Sequence, residues 1–427
     1  MSDIIQDVLA GRVHAPELGG PLRTSIRRIV LEDRLEGREA ELLDGLGLGA
    51  RLAVVADETT VEVLGRRVHR ALPGAELVVL EHPKADEATA DALQERVRNA
   101  DGLVAIGSGT LNDLCKYVTH RTGRDCAVFG TAPSMDGYVT STVSITRDGF
   151  KLSLPAHAPR GVFLDLGVLA RAPQRMILAG LGDTICRSTA QVDWLLSHLL
   201  LDTVYAETPY RLMAADEPKL MAEAGRLAEG DLAAMRLLAR LLVLSGLGVL
   251  VTGTSHCGSM GEHQVSHYID MLAEPHPGTL HGEQVGVATW SMARLQARML
   301  AEETPPLLRP IAPDAGFDAR FGRFAPACRA AMARKPFDAA ATDRLNARLA
   351  ERWPAIRARL LGVMMPLAEM QRVIAASGMP ATAAALGLDP GFYRQAVAHA
   401  HEIRDRYAFL DLAAQAGLLE GFAAAEG

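Results

Sequence analysis

The chain reads Leu103-Val104-Ala105-Ile106-Gly107-Ser108-Gly109-Thr110-Leu111-Asn112-Asp113 over residues 103–113. Its apolar run is typical of a buried strand, and the residues after it, Leu114–His120, have the pattern of a helix. A glycine-containing turn between a strand and a helix lets backbone N–H groups approach a pyrophosphate, and the helix N-terminus adds partial positive charge. The turn lacks the third glycine of the full dinucleotide fingerprint, so a tight turn without any ligand is an equal alternative.

Similar apolar runs recur on both sides of this stretch, at intervals of roughly 25 residues, the size of a strand–helix unit. They are Leu52–Ala56, Leu77–Leu80 and Ala127–Phe129, with further runs at Ile29–Leu31 and Gly161–Leu166. This rhythm predicts a parallel sheet with crossover helices. After about residue 170, Leu, Ala, Arg and Met dominate, and helical spacing persists to the end. We therefore expect an α/β nucleotide-binding domain over residues 1–169 and an all-α domain over residues 170–427.

Composition excludes several classes of protein. The 427 residues carry a formal net charge of −7, which argues against a general nucleic-acid binder, since such a protein needs excess Lys and Arg. The five cysteines are scattered without a Cys-x-x-Cys pair, so we expect no disulfide framework and a reducing cytoplasm. The N-terminal residues do not resemble a signal peptide. The longest apolar run, Leu241–Val251, is well short of the roughly 20 residues that cross a bilayer, and we expect a buried helix.

Polar residues follow several of the predicted strands. Asp57 and Glu81 end two of them, where a carboxylate commonly accepts hydrogen bonds from a ribose and disfavours a 2′-phosphate. A helix N-cap is an equal alternative for Asp57, so the preference for NAD over NADP is slight. The run Ala127–Phe129 leads into Thr131-Ala132-Pro133-Ser134-Met135-Asp136-Gly137-Tyr138, whose hydroxyls and carboxylate would face the same cleft. A Pro-Ser-x-Asp-Gly turn without a ligand is the alternative there.

Histidine spacing indicates a metal site. His263 and His267 are four residues apart in Gly261-Glu262-His263-Gln264-Val265-Ser266-His267, and His281 opens a second motif, His281-Gly282-Glu283-Gln284. Positions i and i+4 share one face of a helix, and the start of the next helix could add the third imidazole. Neutral imidazole is the commonest ligand of metals such as zinc. The alternative is that these are surface or core histidines without a ligand.

One carboxylate could complete such a site. Gly180-Leu181-Gly182-Asp183-Thr184 puts Asp183 at the expected start of a helix over residues 183–198. Together with His263 and His281 it would leave a coordination position open for substrate. His267 would then lie beside the metal, with Glu262 and Glu283 supporting the histidines. The alternative is that Asp183 only caps its helix or pairs with Arg187.

The order of five motifs along the chain is more specific than any one of them. They are Gly-Ser-Gly-Thr-Leu-Asn-Asp, Thr-Ala-Pro-Ser-Met-Asp-Gly, Gly-Asp-Thr, Glu-His-x-x-x-His and His-Gly-Glu-Gln-Val-Gly. This order resembles the iron-containing alcohol dehydrogenase superfamily, which has the dehydroquinate synthase-like architecture. Within it the chain resembles most the bacterial type of glycerol-1-phosphate dehydrogenase. The resemblance extends from about Arg23 to Leu419, and the tail Glu402–Tyr407 shares it.

The resemblance implies roles for particular residues. Asp183, His263 and His281 would bind one divalent metal, which could be zinc, nickel or iron. Asp136 and His267 would be catalytic, and together with Asp183 they would contact the substrate. NAD(P) would contact residues of the first domain: Asp57, Gly107, Gly109, Thr110, Leu111, Asn112, Asp113, Thr131, Ala132, Pro133, Ser134 and Thr140. Thr140 stands where the family usually has a serine.

The resemblance further implies hydride transfer between a nicotinamide and a small phosphorylated ketone, with dihydroxyacetone phosphate and sn-glycerol 1-phosphate as the pair. It also implies a homo-oligomer, expected to be a dimer, without membrane insertion.

The run Thr252–Met260 departs from the family pattern, with His256 and Cys257 as unexpected neighbours of the site. Two alternatives remain within the superfamily, a reductase of another phosphorylated or phosphonate carbonyl compound and a dehydroquinate synthase-like cyclase; a third is a non-catalytic nucleotide-binding protein. For the substrate phosphate, Lys151 and Arg160 are candidates, although a solvated surface charge is the favoured explanation of both.

Overall fold

The computed structural model describes residues 3–147 and 150–427, except for the side chains of Phe150 and Lys151. The chain forms two compact units. The first contains Met1–Thr184 and Ala206–Thr254, and the second contains Ile185–Tyr205 and Ser255–Gly427. This division differs from the boundary after residue 169 expected from the sequence. The strands do end near that point, but helices that follow them still pack within the first unit, so secondary-structure class and packing change at different residues.

The first unit is built on a six-stranded, wholly parallel sheet, with the strands numbered in chain order. From one edge to the other they are β3 (Arg28–Glu32), β10 (Gly161–Asp165), β7 (Asp125–Gly130), β6 (Gly102–Gly107), β4 (Leu52–Asp57) and β5 (Glu76–Leu80). Two short antiparallel pairs lie apart from it: β1 (His14–Ala15) with β2 (Gly20–Pro21), and β8 (Thr142–Arg147) with β9 (Phe150–Pro155). Strands β6 and β10 are buried along their whole length, because helices cover both faces of a parallel sheet. The predicted α/β class is confirmed.

Helices surround this sheet. Those of the first unit are α1 (Ile4–Leu9), α2 (Glu39–Leu43), α3 (Arg66–Arg70), α4 (Glu87–Arg96), α5 (Gly109–Thr122), α6 (Leu166–Leu169), α7 (Gln174–Ile185, ending at the boundary), α9 (Thr208–Met213), α10 (Glu217–Glu223) and α11 (Leu232–Thr252). Among the described residues, α11 alone has the length and apolar composition of a membrane span. Its most apolar window is 72% buried inside the protein, as in a core helix.

The strand order creates a switch point at the carboxyl ends of β4 and β6. The chain leaves β4 toward β5 on one side and then returns to place β6 on the other side. In open α/β sheets, ligands bind in the crevice at such a point. Asp57 ends β4 and Gly107 ends β6, so the two segments predicted to bind the nucleotide flank this crevice.

The second unit is helical. It contains α8 (Arg187–Leu201), α12 (Gly261–Leu272), α13 (His281–Ala301), α14 (Phe317–Phe321), α15 (Ala325–Met332), α16 (Ala339–Leu361), α17 (Leu367–Ser377), α18 (Pro390–His399), α19 (Phe409–Gln415) and α20 (Leu419–Ala423). At its centre α12 packs against α13 and α8. The backbone N–H of Gly261 donates to the buried Asp193 carboxylate of α8 (3.0 Å), which fixes the start of α12.

Candidate active site

The glycine turn after β6 leads directly into α5. A Cβ added to Gly107 would lie 2.5 Å from the Cδ1 atom of Leu111, so glycine is required for the helix to begin this close to the strand. Thr110, Leu111, Asn112 and Asp113 therefore occupy the first turns of α5. Backbone N–H groups at the start of such a helix are available to a phosphate.

At the end of β4, the Asp57 carboxylate accepts hydrogen bonds from the N–H groups of Thr59 (3.0 Å) and Thr60 (2.6 Å). Asp57 thus acts as a cap, the alternative weighed above.

The loop after β7 is tied to the glycine turn. The N–H of Thr131 donates to the carbonyl of Gly107 (3.1 Å), and the hydroxyl of Tyr138 donates to the carbonyl of Ala132 (2.7 Å). Ala132, Pro133 and Ser134 thus follow a backbone that is fixed at both ends. These bonds bring the two segments predicted to hold NAD(P) together at neighbouring strand ends.

A buried lysine that the sequence did not single out organises the next part of this loop. The ammonium of Lys116, on α5, donates to the carbonyls of Gly137 (3.0 Å) and Thr142 (2.8 Å) and to Oγ1 of Thr140 (3.1 Å). The side chain is fully buried, and burial lowers its pKa. Thr140 is buried as well, and its hydroxyl bonds within the loop. The lysine follows the glycine turn at helical spacing, but no local pattern names its partners.

Asp136 and Asp183 lie together within the first unit. The N–H of Asp136 donates to Oδ2 of Asp183 (2.9 Å), and the hydroxyl of Ser245 donates to Oδ2 of Asp136 (2.5 Å). Two glycines permit this approach. A Cβ on Gly180 would lie 1.6 Å from the carbonyl oxygen of Pro133, and one on Gly246 would lie 2.3 Å from that of Asp136. The loop that carries Asp136 is therefore clamped between α7 and α11.

The position of Asp183 corrects one expectation. It lies in the last turn of α7, not at the start of a helix over residues 183–198, and α8 begins separately at Arg187. Gly180 and Gly182 look like a helix boundary in the sequence, but the close contact with Pro133 provides another reason for a glycine within the helix. Asp183 is buried and accepts a backbone hydrogen bond, so it is not the N-cap that the sequence also allowed.

Three histidines converge within the second unit. Ring centroids of His263 and His281 are 5.0 Å apart, those of His267 and His281 are 5.9 Å apart, and those of His263 and His267 are 6.2 Å apart. The i, i+4 spacing on α12 places the first two on one face, and α13 begins with the third. This arrangement brings several imidazole nitrogens to one location, as a metal site requires.

Hydrogen bonds select which nitrogen of each ring can act as a ligand. Nδ1 of His263 bonds to Oε1 of Glu262 (3.0 Å), and Nδ1 of His281 bonds to Oγ of Ser266 (3.2 Å). A carboxylate accepts only, so His263 carries its proton on Nδ1 and presents the lone pair of Nε2. A hydrogen bond from the second ring nitrogen to a neighbouring oxygen is typical of metal-binding histidines. Glu283 instead accepts the N–H of Leu280 (2.6 Å) and caps α13.

His267 has a different partner. Nη2 of Arg404 lies 3.0 Å from its Nε2. Because a guanidinium can only donate, Nε2 of His267 accepts this bond and the ring proton sits on Nδ1. The bond engages the Nε2 lone pair of His267, so this nitrogen is not available as a metal ligand in this arrangement. Arg404 belongs to the tail Glu402–Tyr407, whose resemblance to the family was visible in the sequence but carried no role.

Other candidates named from the sequence are engaged elsewhere. Nη1 of Arg187 lies 3.5 Å from Sγ of Cys257 in the second unit, and burial lowers the pKa of His256 to about 4. Arg160 forms an ion pair with Asp125 (2.9 Å) within the first unit. The side chain of Lys151 lies outside the described residues. All five cysteines are buried thiols that form no disulfide.

A second cluster of potential ligands lies elsewhere in the second unit. Donor atoms of Asp314, His399 and Glu402 are within 4.8 Å of one another. Arg320 forms ion pairs with both carboxylates, at 2.8 Å and 3.2 Å. A guanidinium already neutralises this cluster, so it does not resemble a site built for a metal.

Comparisons with known proteins agree with this arrangement. Residues 30–173 match the family model described as iron-containing alcohol dehydrogenase. A glycerol-1-phosphate dehydrogenase (NAD(P)+) of Halalkalibacterium halodurans is 34% identical over 57% of this chain and 64% of that protein, so the alignment spans less than two thirds of that relative. The protein of the same name from Thermococcus kodakarensis is 30% identical over 63% of this chain and 77% of that protein.

A solved structure shares the fold over almost the whole chain. A probable glycerol dehydrogenase from Sinorhizobium meliloti superposes with a TM-score of 0.62 and 19% identity, covering 93% of this chain and 98% of that one. The family model matches the part of the chain that contains the six-stranded sheet, and the similarity to the Thermococcus relative extends over 77% of that protein. The chain therefore belongs to the glycerol-1-phosphate dehydrogenase family of the iron-containing alcohol dehydrogenases.

Proposed function

We propose that this protein is a metal-dependent, NAD(P)-linked dehydrogenase that interconverts dihydroxyacetone phosphate and sn-glycerol 1-phosphate. The observation that carries the proposal is the convergence of His263, His267 and His281, with the Nδ1 of His263 held by a carboxylate. The relatives from Halalkalibacterium and Thermococcus are named glycerol-1-phosphate dehydrogenase (NAD(P)+), which supports the substrate pair and the cofactor.

The donor chemistry fits one divalent metal. We propose Asp183, His263 and His281 as its ligands, the set that the family resemblance implies. Two imidazoles and a carboxylate suit zinc, nickel and iron, and they leave a position open for a substrate oxygen. When bound, the metal would polarise the substrate carbonyl and NAD(P)H would supply hydride.

The chain's own residues account for orientation and proton movement. Ser245 fixes the carboxylate of Asp136, which can accept a hydrogen bond from a substrate hydroxyl. His267 carries a proton on Nδ1, because Arg404 donates to its Nε2. His267 can therefore donate an Nδ1–H hydrogen bond to the substrate oxygen or hold a water molecule beside it, and that water supplies the proton that the new alcohol oxygen takes up. Asp136 and His267 are the catalytic residues we propose.

We further propose that NAD(P) lies at the switch point between β4 and β6. The start of α5 would hold the pyrophosphate, with Gly107, Gly109 and the segment Thr131–Ser134 lining its path. The capping bonds of Asp57 use Oδ1, and Oδ2 could accept from a ribose hydroxyl. We therefore expect a modest preference for NADH over NADPH.

An oxidation assay tests the proposal. Protein loaded with zinc, nickel or iron should oxidise NADH when dihydroxyacetone phosphate is added, and metal analysis should find one ion per chain. His263→Ala should lose both the ion and the activity. His276→Ala, an exposed histidine of the same unit, should keep both. Activity with other phosphorylated or phosphonate ketones alone would overturn the substrate assignment. Conversion of a substrate without net NADH turnover would indicate the cyclase.

Assembly and location are separate proposals. We propose a cytoplasmic homodimer, in keeping with five cysteines that form no disulfide and with the family resemblance. Light scattering on the purified protein would measure the mass in solution. A mass matching one chain of 45.7 kDa would refute the dimer without affecting the proposed chemistry.

A further inference from the structure

Two partly buried arginines lie near the histidines of the second unit without a carboxylate partner. Within the described chain, no ion pair joins Arg404 or Arg406 to an acidic side chain. Asp405, between them, pairs with Arg334 instead (3.1 Å). Asp405 still attracts both guanidinium groups, but it contacts neither of them in an ion pair. A guanidinium away from water and without a directly paired carboxylate is costly, because arginine stays protonated.

The two arginines have different hydrogen-bond partners. Arg406 donates to the carbonyl of Ser259 and to Oγ of Ser255 (2.8 Å), which anchors the segment before α12. Arg404 donates to Nε2 of His267, a neutral acceptor that uses one of its N–H groups. The guanidinium of Arg404 therefore keeps donors for a further partner.

The charges around them favour an anion. Repulsion from Arg404 adds to burial in lowering the pKa of Arg406 to about 10, so the two cations lie close enough to disfavour each other. The buried carboxylate of Glu262, whose attraction acts on Arg406, already accepts bonds from His263, Thr189 and Met260. Asp405 and Glu262 offset only part of the effect, because the pKa of Arg406 still falls, and a negatively charged ligand would relieve the remaining repulsion.

We propose that Arg404 binds the phosphate of the substrate, with Arg406 holding the adjacent segment in position. Arg404 touches His267, whose ring is 5.9 Å from that of His281, so it lies one side chain away from the proposed metal ligands. In a three-carbon ketone phosphate the phosphate lies only a few bonds from the carbonyl. Arginine recognises phosphate through two parallel N–H···O bonds, which lysine cannot reproduce. This inference rests on the proposed function, and it assigns the phosphate to residues other than Lys151 and Arg160.

The test compares phosphorylated with unphosphorylated ligands. For wild type, Arg404→Met, Arg404→Lys and the exposed control Arg329→Met, kcat/KM is measured with dihydroxyacetone phosphate and with dihydroxyacetone. Binding of inorganic phosphate is measured by calorimetry. Loss of a charged hydrogen-bonding partner should lower the ratio of the two kcat/KM values roughly ten- to hundredfold in Arg404→Met and weaken phosphate binding similarly. Arg404→Lys should recover only part of the loss, and Arg329→Met should match wild type.

Several outcomes would decide against the proposal. Equal losses with both ketones in Arg404→Met would mean that the residue only positions His267. Unchanged phosphate binding in Arg404→Met, with a thermal melt like that of wild type, would refute it outright. If wild type does not reduce dihydroxyacetone phosphate but binds inorganic phosphate through Arg404, the proposed function fails and the phosphate site stands.

Discussion

The buried carboxylate of Glu262 offers the sharpest test of the metal site. Its Oε1 accepts the N–H of Met260 (2.7 Å) and the Nδ1–H of His263 (3.0 Å), and its Oε2 accepts the hydroxyl of Thr189 (3.1 Å). Oγ1 of Thr189 also lies 3.0 Å from the carbonyl oxygen of Cys186. The hydroxyl can therefore donate to that carbonyl and accept a hydrogen bond from residue 262. A glutamine at this position could therefore keep Oε1 in place while its amide donates to the threonine.

Glu262→Gln thus removes the negative charge and preserves the geometry. Substitutions of this kind typically weaken metal binding about 10- to 100-fold, equivalent to roughly 1.4–2.7 kcal/mol. We expect the lower end for Glu262→Gln, since the tautomer of His263 is kept. Glu262→Leu should reach the upper end, because it also leaves buried N–H groups of His263 and Met260 without an acceptor, at about 1–3 kcal/mol each in stability.

Competition against a chromophoric zinc chelator measures the affinity, and a thermal melt of the metal-free protein checks the fold. Glu283→Gln is the matched control. It lies near His281, but its carboxylate caps α13, and glutamine serves that purpose equally. The reasoning is refuted if Glu262→Gln binds zinc within twofold of wild type, or if Glu283→Gln is weakened as much.

Three further changes test the first unit. Gly180→Ala puts a Cβ 1.6 Å from the carbonyl oxygen of Pro133. The free energy of unfolding, measured in urea, should fall by about 1–3 kcal/mol, and NADH binding, measured by fluorescence titration, should weaken. Unchanged values would contradict the close packing of the Asp136 loop against α7. Lys116→Met should lower stability at neutral pH. Burial lowers the pKa of Lys116 below its ordinary value of 10.5, so the unfolded chain binds the proton more tightly than the folded one. The stability of wild type relative to the variant should therefore increase as the pH rises toward 10.5. If the two proteins change in stability by the same amount across this pH range, the reasoning is wrong. Ser245→Ala removes the donor to Asp136, and its loss of about 1 kcal/mol should lower kcat/KM roughly fivefold without changing metal content; an unaltered kcat/KM would argue against that role.

Local patterns in the sequence were enough for the fold class. Each of the six short apolar runs of the first domain forms a strand of the parallel sheet, because a strand buried on both faces must be apolar. The spacing of His263 and His267 placed them on one helix face, and His281 opened the next helix, since helical geometry repeats over a few residues.

Tertiary structure alone decided which groups meet. His267 and Arg404 are 137 residues apart, and Lys116 bonds a loop more than 20 residues later, so no periodicity could pair them. Glu262 and Glu283 look equivalent in sequence, yet the first accepts the Nδ1–H of His263 and the second accepts the N–H of Leu280, because the direction of each side chain depends on how α12 and α13 pack. Asp183 ends a helix instead of starting one, since Gly180 is required by a contact with Pro133 that the sequence does not reveal. Short-range geometry is encoded locally, whereas the partners of buried polar groups follow from the packing of distant elements.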